Sequence, residues 1–166
     1  VLSEDHKSFF SSFIPKQRLV VLENFVFRND YQNEYDVRTG WICVGRLTVK
    51  KGFYDLIEAM DICVNKLGYR DLVVNCLGVA ETDKKQQEIY DLVLSKKLST
   101  NLILLGLKEG EDKFELFRSA TGLVFPSPFE NSPVVLKEAV AAGLPILCSD
   151  IDANKRILEG VGNAVY

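Results

Sequence analysis

Residues 122–148 read GLVFPSPFENSPVVLKEAVAAGLPILC, so two short apolar runs flank a helical pattern. The runs 122–125 and 145–148 are bounded by turn residues, which is typical of strands that are buried on both faces. Between the two runs, Ser132 is the predicted helix cap and Pro133 the predicted first helical residue, because a proline lacks the N–H that this position leaves unpaired. A strand, a helix and a strand joined by short connections predict a parallel pair with a crossover helix.

The same alternation continues on both sides of this stretch. Further strands are predicted at 18–22, 41–44, 72–77, 102–105 and 164–166. Helices are predicted at 4–13 after a Ser3 cap, and at 53–67, 83–98, 111–119, 132–142 and 153–158. Residues 29–36 have no periodicity and indicate a loop or linker. The chain is therefore expected to form an α/β fold, a doubly wound and mostly parallel sheet with helices on both faces, in which ligands bind beyond the carboxyl ends of the strands.

Composition narrows the class of protein. The 166 residues are 47% hydrophobic, enough for one domain with a core, and the formal net charge of -3 argues against nucleic acid as the main partner. The cysteines at 43, 63, 76 and 148 are dispersed in apolar runs, which favours buried reduced thiols in a cytosolic protein over a metal or disulfide framework. No apolar stretch approaches the ~18 residues of a membrane span. Since the chain begins without methionine or a signal peptide, we interpret it as a fragment.

The helix start near Ser132 predicts an anion site. Free amides of the first turn, including those of Val134 and Val135, and the positive end of the helix dipole attract a phosphate. Glu138 lies on the same face, and its carboxylate is suited to accept hydrogen bonds from ribose hydroxyls. Glu130, in the preceding loop, faces the opposite end of the anion, where a second polyhydroxylated group would fit. Taken alone, two such acids are more often solvated surface residues.

A second predicted anion contact lies in the loop 45–52. Arg46 immediately follows a strand and Lys51 immediately precedes a helix, so both cations can converge on an anion at the sheet edge. A solvated basic turn is the alternative for this loop alone. Gly78 and Gly106 end two further strands, where a small residue allows either a ligand or a tight turn to approach the backbone.

Other chemistries lack their signatures. The sequence has no GxxxxGK[ST], no GxGxxG after a strand and no GxSxG. His6 is the only histidine and lies in the terminal helix as an expected surface residue, so no histidine-based triad or metal site can be assembled. The DxD at 150–152 would allow a metal, but two acids after a strand are common, and no metal site is expected.

Taken together, these segments resemble the retaining GT-B glycosyltransferases of family 4, the glycosyl transferases group 1. The segments that carry the resemblance stand in the family's order and spacing: 44–47 followed by 51–53, 104–106, 125–127 with Glu130, and 133–145. Glu130 and Glu138 form the family's E-x7-E motif.

The resemblance implies a nucleotide-sugar site. Arg46 and Lys51 would hold the diphosphate and stabilise the leaving nucleotide, Glu130 would contact hydroxyls of the transferred sugar, and Glu138 would bind the ribose. Further donor contacts are implied for Gly45, Gly106, Leu107, Asn131, Ser132, Val134 and Val135. Cations and a helix end, rather than a metal or cofactor, would balance the charge of the departing diphosphate.

The resemblance also implies partners and domains. The donor would be a UDP- or GDP-type sugar, and the acceptor a glycan or glycolipid reached through an absent N-terminal domain. Residues 1–38 would be the tail of that domain and the passage from it, and residues 39–166 the donor-binding domain. The full-length protein would be a cytoplasmic hexosyltransferase of polysaccharide biosynthesis, either free or in peripheral contact with the inner membrane face. The fragment alone would be nearly inactive. The alternatives are another GT-B enzyme, such as a sugar-nucleotide epimerase or phosphorylase, and a noncatalytic binding module.

Overall fold

The computed structural model describes residues 1–31 and 37–166. The strands are β1 (Trp41–Val44), β2 (Val74–Leu77), β3 (Leu102–Gly106), β4 (Gly122–Phe125), β5 (Ile146–Cys148) and β6 (Ala164–Val165). The helices are α1 (Glu4–Phe10), α2 (Phe53–Asp61), α3 (Asp83–Ser95), α4 (Gly110–Ser119), α5 (Val134–Ala141) and α6 (Asp152–Ile157), and α2 continues into a π-helical turn at Ile62–Lys66.

The strands form one parallel sheet in the order β3-β2-β1-β4-β5-β6. The chain first builds outward from β1 through β2 to β3, then returns to the other side of β1 and continues through β4, β5 and β6. The strand order therefore reverses between β1 and β4, which is the topological switch point where open α/β sheets bind ligands. The predicted doubly wound parallel sheet is confirmed.

Two apolar clusters show that helices cover both faces of this sheet. Side chains of α2 and α3, among them Ile57 and Ile89, pack in one cluster. Side chains of α4 and α5, among them Phe117 and Leu136, pack in the other, together with Tyr31 from the segment before β1. All five of these side chains are buried, so the sheet has no solvent-facing side at its centre.

A buried asparagine delays the start of β2. The strand begins at Val74 rather than at the predicted position 72, because the carbonyls of Arg70 and Leu72 accept hydrogen bonds from Nδ2 of Asn101, at 2.9 and 2.7 Å. The Asn101 side chain, rather than the backbone of a neighbouring strand, thus supplies the hydrogen-bond donor for these two carbonyl groups.

The first helix is confirmed at its start and shorter than predicted at its end. The Ser3 hydroxyl accepts a hydrogen bond from the His6 amide at 3.2 Å, as an N-cap does, but α1 ends at Phe10 rather than at position 13.

The predicted strand at 18–22 is wrong. Lys16–Arg18 forms a 3₁₀ turn instead. The backbone after it pairs with the chain terminus, since the Val1 amine donates to the Val20 carbonyl and the Leu22 amide donates to the Val1 carbonyl. The β-branched and apolar composition of this segment favours extended backbone, yet the segment lies away from the sheet and keeps Val20 and Leu22 exposed.

The predicted loop at 29–36 is corrected in part. Arg28–Tyr31 forms a 3₁₀ turn that buries Tyr31, and the rest of the predicted loop, 32–36, lies outside the described residues. The segment before this turn is tied to α5, because Nδ2 of Asn24 donates to the Ser132 carbonyl and Nζ of Lys137 donates to the Asn24 carbonyl.

Three of the four cysteine thiols, Cys43, Cys76 and Cys148, are buried and Cys63 is half-buried, all four unpaired, as expected for reduced core residues. Burial raises the pKa of the Cys43 thiol to about 12 and raises that of Cys76 well above its ordinary value. Within 1–31 and 37–166, no helix is long and apolar enough to cross a bilayer.

Candidate functional site

A cavity of about 540 Å³ opens at the carboxyl ends of β1, β2 and β3. Its wall is formed by the loops that follow these strands, by the first turn of α5, by α4 and by the segment that precedes β1. The lining residues are Phe25, Val26, Phe27, Asp30, Tyr31, Val44, Gly45, Arg46, Leu77, Gly78, Val79, Leu107, Lys108, Glu109, Gly110, Lys113, Phe114, Val134 and Glu138. The cavity therefore lies beside the switch point at which an α/β sheet is expected to bind its ligand.

The floor of the cavity is built from closely packed backbone. The Gly45 amide donates to the Leu77 carbonyl at 3.0 Å, and the Gly78 amide donates to the Gly106 carbonyl at 2.8 Å. A Cβ atom on Gly78 would lie 1.9 Å from the Gly45 carbonyl oxygen, so a side chain there would push these loops apart. Glycines thus bring three strand ends together and leave backbone, rather than side chains, facing the cavity.

A buried carboxylate, that of Glu138, lies in the cavity wall. Glu138 belongs to α5 and is 4% exposed. Its Oε1 accepts a hydrogen bond from the Tyr31 hydroxyl at 2.8 Å and another from Nζ of Lys113 at 2.6 Å. Its Oε2 is buried and has no partner among the described residues. An unpaired buried acceptor of this kind costs on the order of 1–3 kcal/mol, which a ligand donor in the cavity would recover.

The two partners of Glu138 are themselves held in place. The Tyr31 ring packs edge-on against Phe114 and Phe117, with centroids 5.0 and 5.5 Å apart. Burial, together with the adjacent Glu138, raises the pKa of the Tyr31 hydroxyl far above its ordinary value, so the hydroxyl remains a donor. Nζ of Lys113 lies 5.8 Å from the centroid of the Phe117 ring, a cation–π distance.

Sequence reasoning did not find these two residues. The available signal for Tyr31 was an aromatic side chain in the polar stretch 29–36, because such a side chain removes a large apolar area from solvent when it packs. Lys113 gave no signal, since a lysine on an amphipathic helix is usually a solvated residue.

The two cations that were predicted to converge differ in their contacts. Arg46 lines the cavity, is exposed, and has no ion-pair partner in the part of the chain that the structure describes. Lys51 lies away from the cavity lining and pairs with Glu130, with Nζ 2.6 Å from Oε1. The Glu130 side chain is only 12% exposed, so this pair is partly shielded from solvent. The predicted sugar contact, Glu130, is therefore paired with one predicted phosphate contact, Lys51, whereas the other, Arg46, has no ion-pair partner among the described residues.

The predicted cap of α5 is wrong. The helix begins at Val134, and Pro133, with φ -67 and ψ 113, occupies the N-cap position without a side-chain hydrogen bond. Ser132 lies one residue too early to cap, and its carbonyl accepts from Asn24 instead. The first amides of α5 remain free of helical partners at the cavity, where Val134 is part of the lining.

The predicted donor contacts are distributed over two regions. Gly45, Arg46, Leu107, Val134 and Glu138 line the cavity, and Lys51, Gly106, Glu130, Asn131, Ser132 and Val135 are outside its lining. The Asn131 side chain contacts Nε2 of half-buried His6 and, with Ser132, borders a neighbouring cavity of about 240 Å³. In the DxD segment, Asp150 pairs with Lys155, and the described residues contain no cluster of three potential metal ligands.

Comparison with known proteins identifies a family. The sequence pattern of the family "Glycosyl transferases group 1" matches residues 32–164. An uncharacterized glycosyltransferase of Methanocaldococcus jannaschii is 30% identical over 139 residues, which are 84% of this chain and 32% of the relative. The chain spans about a third of the length of the curated relatives that it matches.

Solved structures share the fold. WaaG, a glycosyltransferase involved in lipopolysaccharide biosynthesis, superposes with a TM-score of 0.79 at 18% identity, covering 99% of this chain and 47% of WaaG. Anabaena HepE, solved in complex with UDP and glucose, superposes with a TM-score of 0.75 at 18% identity, covering 98% of this chain and 46% of HepE. With the family match extending over most of its length, the chain belongs to the glycosyl transferases group 1.

Proposed function

We propose that this chain contains the donor-binding domain of a retaining glycosyltransferase, formed by residues 39–166. The full-length protein would transfer a hexose-like sugar from a UDP- or GDP-type nucleotide diphosphate sugar to a glycan or glycolipid acceptor. The observation that carries the proposal is the buried Glu138 carboxylate, whose Oε2 lacks a partner among the described residues in the wall of a switch-point cavity. The complex of Anabaena HepE with UDP and glucose supports a donor of this class.

The ribose of the donor is assigned to Glu138. A carboxylate accepts hydrogen bonds and donates none, so Oε2 selects a ligand that offers a hydroxyl. The cavity of about 540 Å³ has the size of a small-molecule site, large enough for a nucleoside diphosphate.

The diphosphate is assigned to Arg46 and the start of α5. The free amides of the first turn and the positive end of the helix dipole favour an anion beside Val134. Arg46 adds a planar cation that can bind two phosphate oxygens at once. In this proposal these groups, rather than a metal ion, offset the charge that develops on the departing nucleotide.

The transferred sugar is assigned to the side of Lys51 and Glu130. In the ligand-free structure the two side chains neutralise each other, with Lys51 on Oε1 of Glu130. A hydroxyl of the sugar can bind the second carboxylate oxygen, while Lys51 retains two N–H donors for a phosphate oxygen. Both residues thus keep hydrogen-bonding capacity after they pair.

The acceptor is assigned to the rest of the full-length protein, because the chain spans about a third of its curated relatives. Residues 1–38 would form the tail of that part and the passage from it. Without the acceptor side of the cleft, the chain alone is expected to bind the donor weakly and to be nearly inactive.

Calorimetric titration with UDP and GDP tests the proposal. We expect one of the two to bind, and Glu138→Gln to weaken that binding about tenfold or more, because the amide replaces the charge that receives the ribose hydroxyl. Glu88→Gln is the matched control: Glu88 lies on α3 in an exposed pair with Lys85, and its replacement should leave the affinity unchanged. Failure of both nucleotides to bind, or equal binding by the Glu138→Gln variant, would overturn the assignment.

Product analysis with the full-length protein separates transfer from related reactions of the same fold. A nucleotide diphosphate sugar incubated with a glycan or glycolipid acceptor should yield a glycosylated acceptor of retained configuration. An isomerised donor or a sugar phosphate would instead identify an epimerase or a phosphorylase.

A further inference from the structure

Two donors converge on one oxygen of the Glu138 carboxylate. The Tyr31 hydroxyl and the Lys113 ammonium group both bind Oε1, at 2.8 and 2.6 Å. Each carboxylate oxygen accepts about two hydrogen bonds, so Oε1 is fully occupied, while Oε2 has no partner among the described residues. Rotation of the carboxylate plane would stretch both bonds, so the two donors hold the carboxylate plane in one orientation.

These donors reach Glu138 from two separate elements. Tyr31 ends the 3₁₀ turn before β1, and Lys113 lies on α4. The ring of Tyr31 packs against Phe114 and Phe117 of α4. These aromatic contacts fix the position of the Tyr31 hydroxyl.

From this arrangement we infer that Tyr31 and Lys113 are positioning residues, which aim Oε2 of Glu138 at a ribose hydroxyl and make the cavity selective for ribonucleoside over 2′,3′-dideoxyribonucleoside diphosphates. The inference rests on the proposed function, since it names how the donor site chooses its sugar ring. A ligand without the hydroxyl would leave Oε2 buried and unpaired, which is the condition under which a polar site rejects an analogue strongly.

Tyr31 is expected to act through Glu138 rather than through the ligand. The single proton of the Tyr31 hydroxyl is already donated to Oε1. Replacing tyrosine by phenylalanine removes that donor and leaves the ring packed against Phe114 and Phe117. The carboxylate is then held by Lys113 alone, and the loss should appear only for ligands that use Oε2.

The test compares UDP with 2′,3′-dideoxy-UDP, or the guanine pair if GDP is the ligand that binds. The unmodified chain should bind the ribonucleotide at least tenfold more tightly than the dideoxy compound. Tyr31→Phe should weaken ribonucleotide binding about tenfold and leave dideoxynucleotide binding unchanged, so that the preference shrinks. Lys113→Met should act in the same direction.

Matched controls are available on α3, which contributes nothing to the cavity lining. Tyr90→Phe and Lys85→Met make the same chemical changes at exposed positions and should leave both affinities unchanged. The double variant Tyr31→Phe with Glu138→Gln should bind no more weakly than Glu138→Gln alone, because Tyr31 has no carboxylate left to orient.

Three results would overturn the inference: an unchanged ribose preference in both Tyr31→Phe and Lys113→Met, an equal loss for both nucleotides, or additive losses in the double variant. An equal loss would indicate a purely structural role, and additive losses a direct contact between Tyr31 and the ligand. If neither UDP nor GDP binds the unmodified chain, the proposed function itself fails, and the inference fails with it.

Discussion

Alanine at Gly78 and alanine at Gly45 should destabilise the fold by different amounts, although their backbones are alike. Gly78 has φ +149 and Gly45 has φ +151, both in a region that side chains avoid. A Cβ at position 78 would lie 1.9 Å from the Gly45 carbonyl oxygen, whereas a Cβ at position 45 would meet nothing within 4 Å. The pair of variants thus separates backbone strain from steric overlap.

The expected magnitudes follow from these two terms. Backbone strain should cost both variants about 1–3 kcal/mol. Relief of the overlap at Gly78 requires a displacement of about 1.1 Å, from 1.9 Å to the 3.0 Å that real Cβ contacts respect, and this moves the loops of β1 and β2 apart. Overpacking of this kind adds about 1–3 kcal/mol. Gly78→Ala should therefore be less stable than Gly45→Ala by that amount, with a melting temperature lower by roughly 2–4 °C for each kcal/mol.

Urea unfolding followed by circular dichroism and by fluorescence of Trp41 would measure the difference. The chain contains one tryptophan, which is the first residue of β1. Equal free energies of unfolding for the two variants would refute the reasoning, because the overlap would then contribute nothing. A Gly78→Ala variant within about 0.5 kcal/mol of the unmodified chain would refute the strain argument as well.

Two further predictions concern buried groups. The free energy of unfolding should fall as the pH rises above 9, because the pKa of the Cys43 thiol is near 9.0 in the unfolded chain and about 12 in the folded one. The expected slope is about 1.4 kcal/mol per pH unit, and the raised pKa of Cys76 adds to it. Cys43→Ala should remove the Cys43 contribution, which unfolding experiments between pH 8.5 and 10.5 would measure. Asn101→Ala should cost about 2–3 kcal/mol in urea unfolding, since the carbonyls of Arg70 and Leu72 lose their donor, and a cost below about 0.5 kcal/mol would contradict this.

The sheet could be predicted from the sequence because its strands are short apolar runs that alternate with helical patterns. Burial on both faces makes such runs distinct from their surroundings, as at 41–44 and 122–125, where the predicted bounds are those of the structure. The segment 18–22 has a similar composition and is no strand, because local composition cannot report whether a sheet neighbour is available.

The candidate site could be predicted only where single residues follow strands or begin helices. Arg46 and Glu138 were accessible to this reasoning, and both line the cavity. The pairing of Lys51 with Glu130, and of Tyr31 and Lys113 with Glu138, depends on contacts between residues that are distant in sequence, and spacing along the chain carries no information about them. The cap of α5 was misplaced by one residue because Pro133 fits either the last residue before a helix or the first within it.

The attachment of the N-terminal segment to α5 has a consequence for the order of folding. The contacts of Tyr31 with Glu138, of Asn24 with Ser132 and of Lys137 with Asn24 join residues that are 107, 108 and 113 positions apart. Contacts of such long range are slow to form, and a chain emerging from the ribosome cannot make them until α5 has been synthesised. We expect the earliest synthesised part of this chain to be the last to reach its native position, and the cavity to be completed only in that final step.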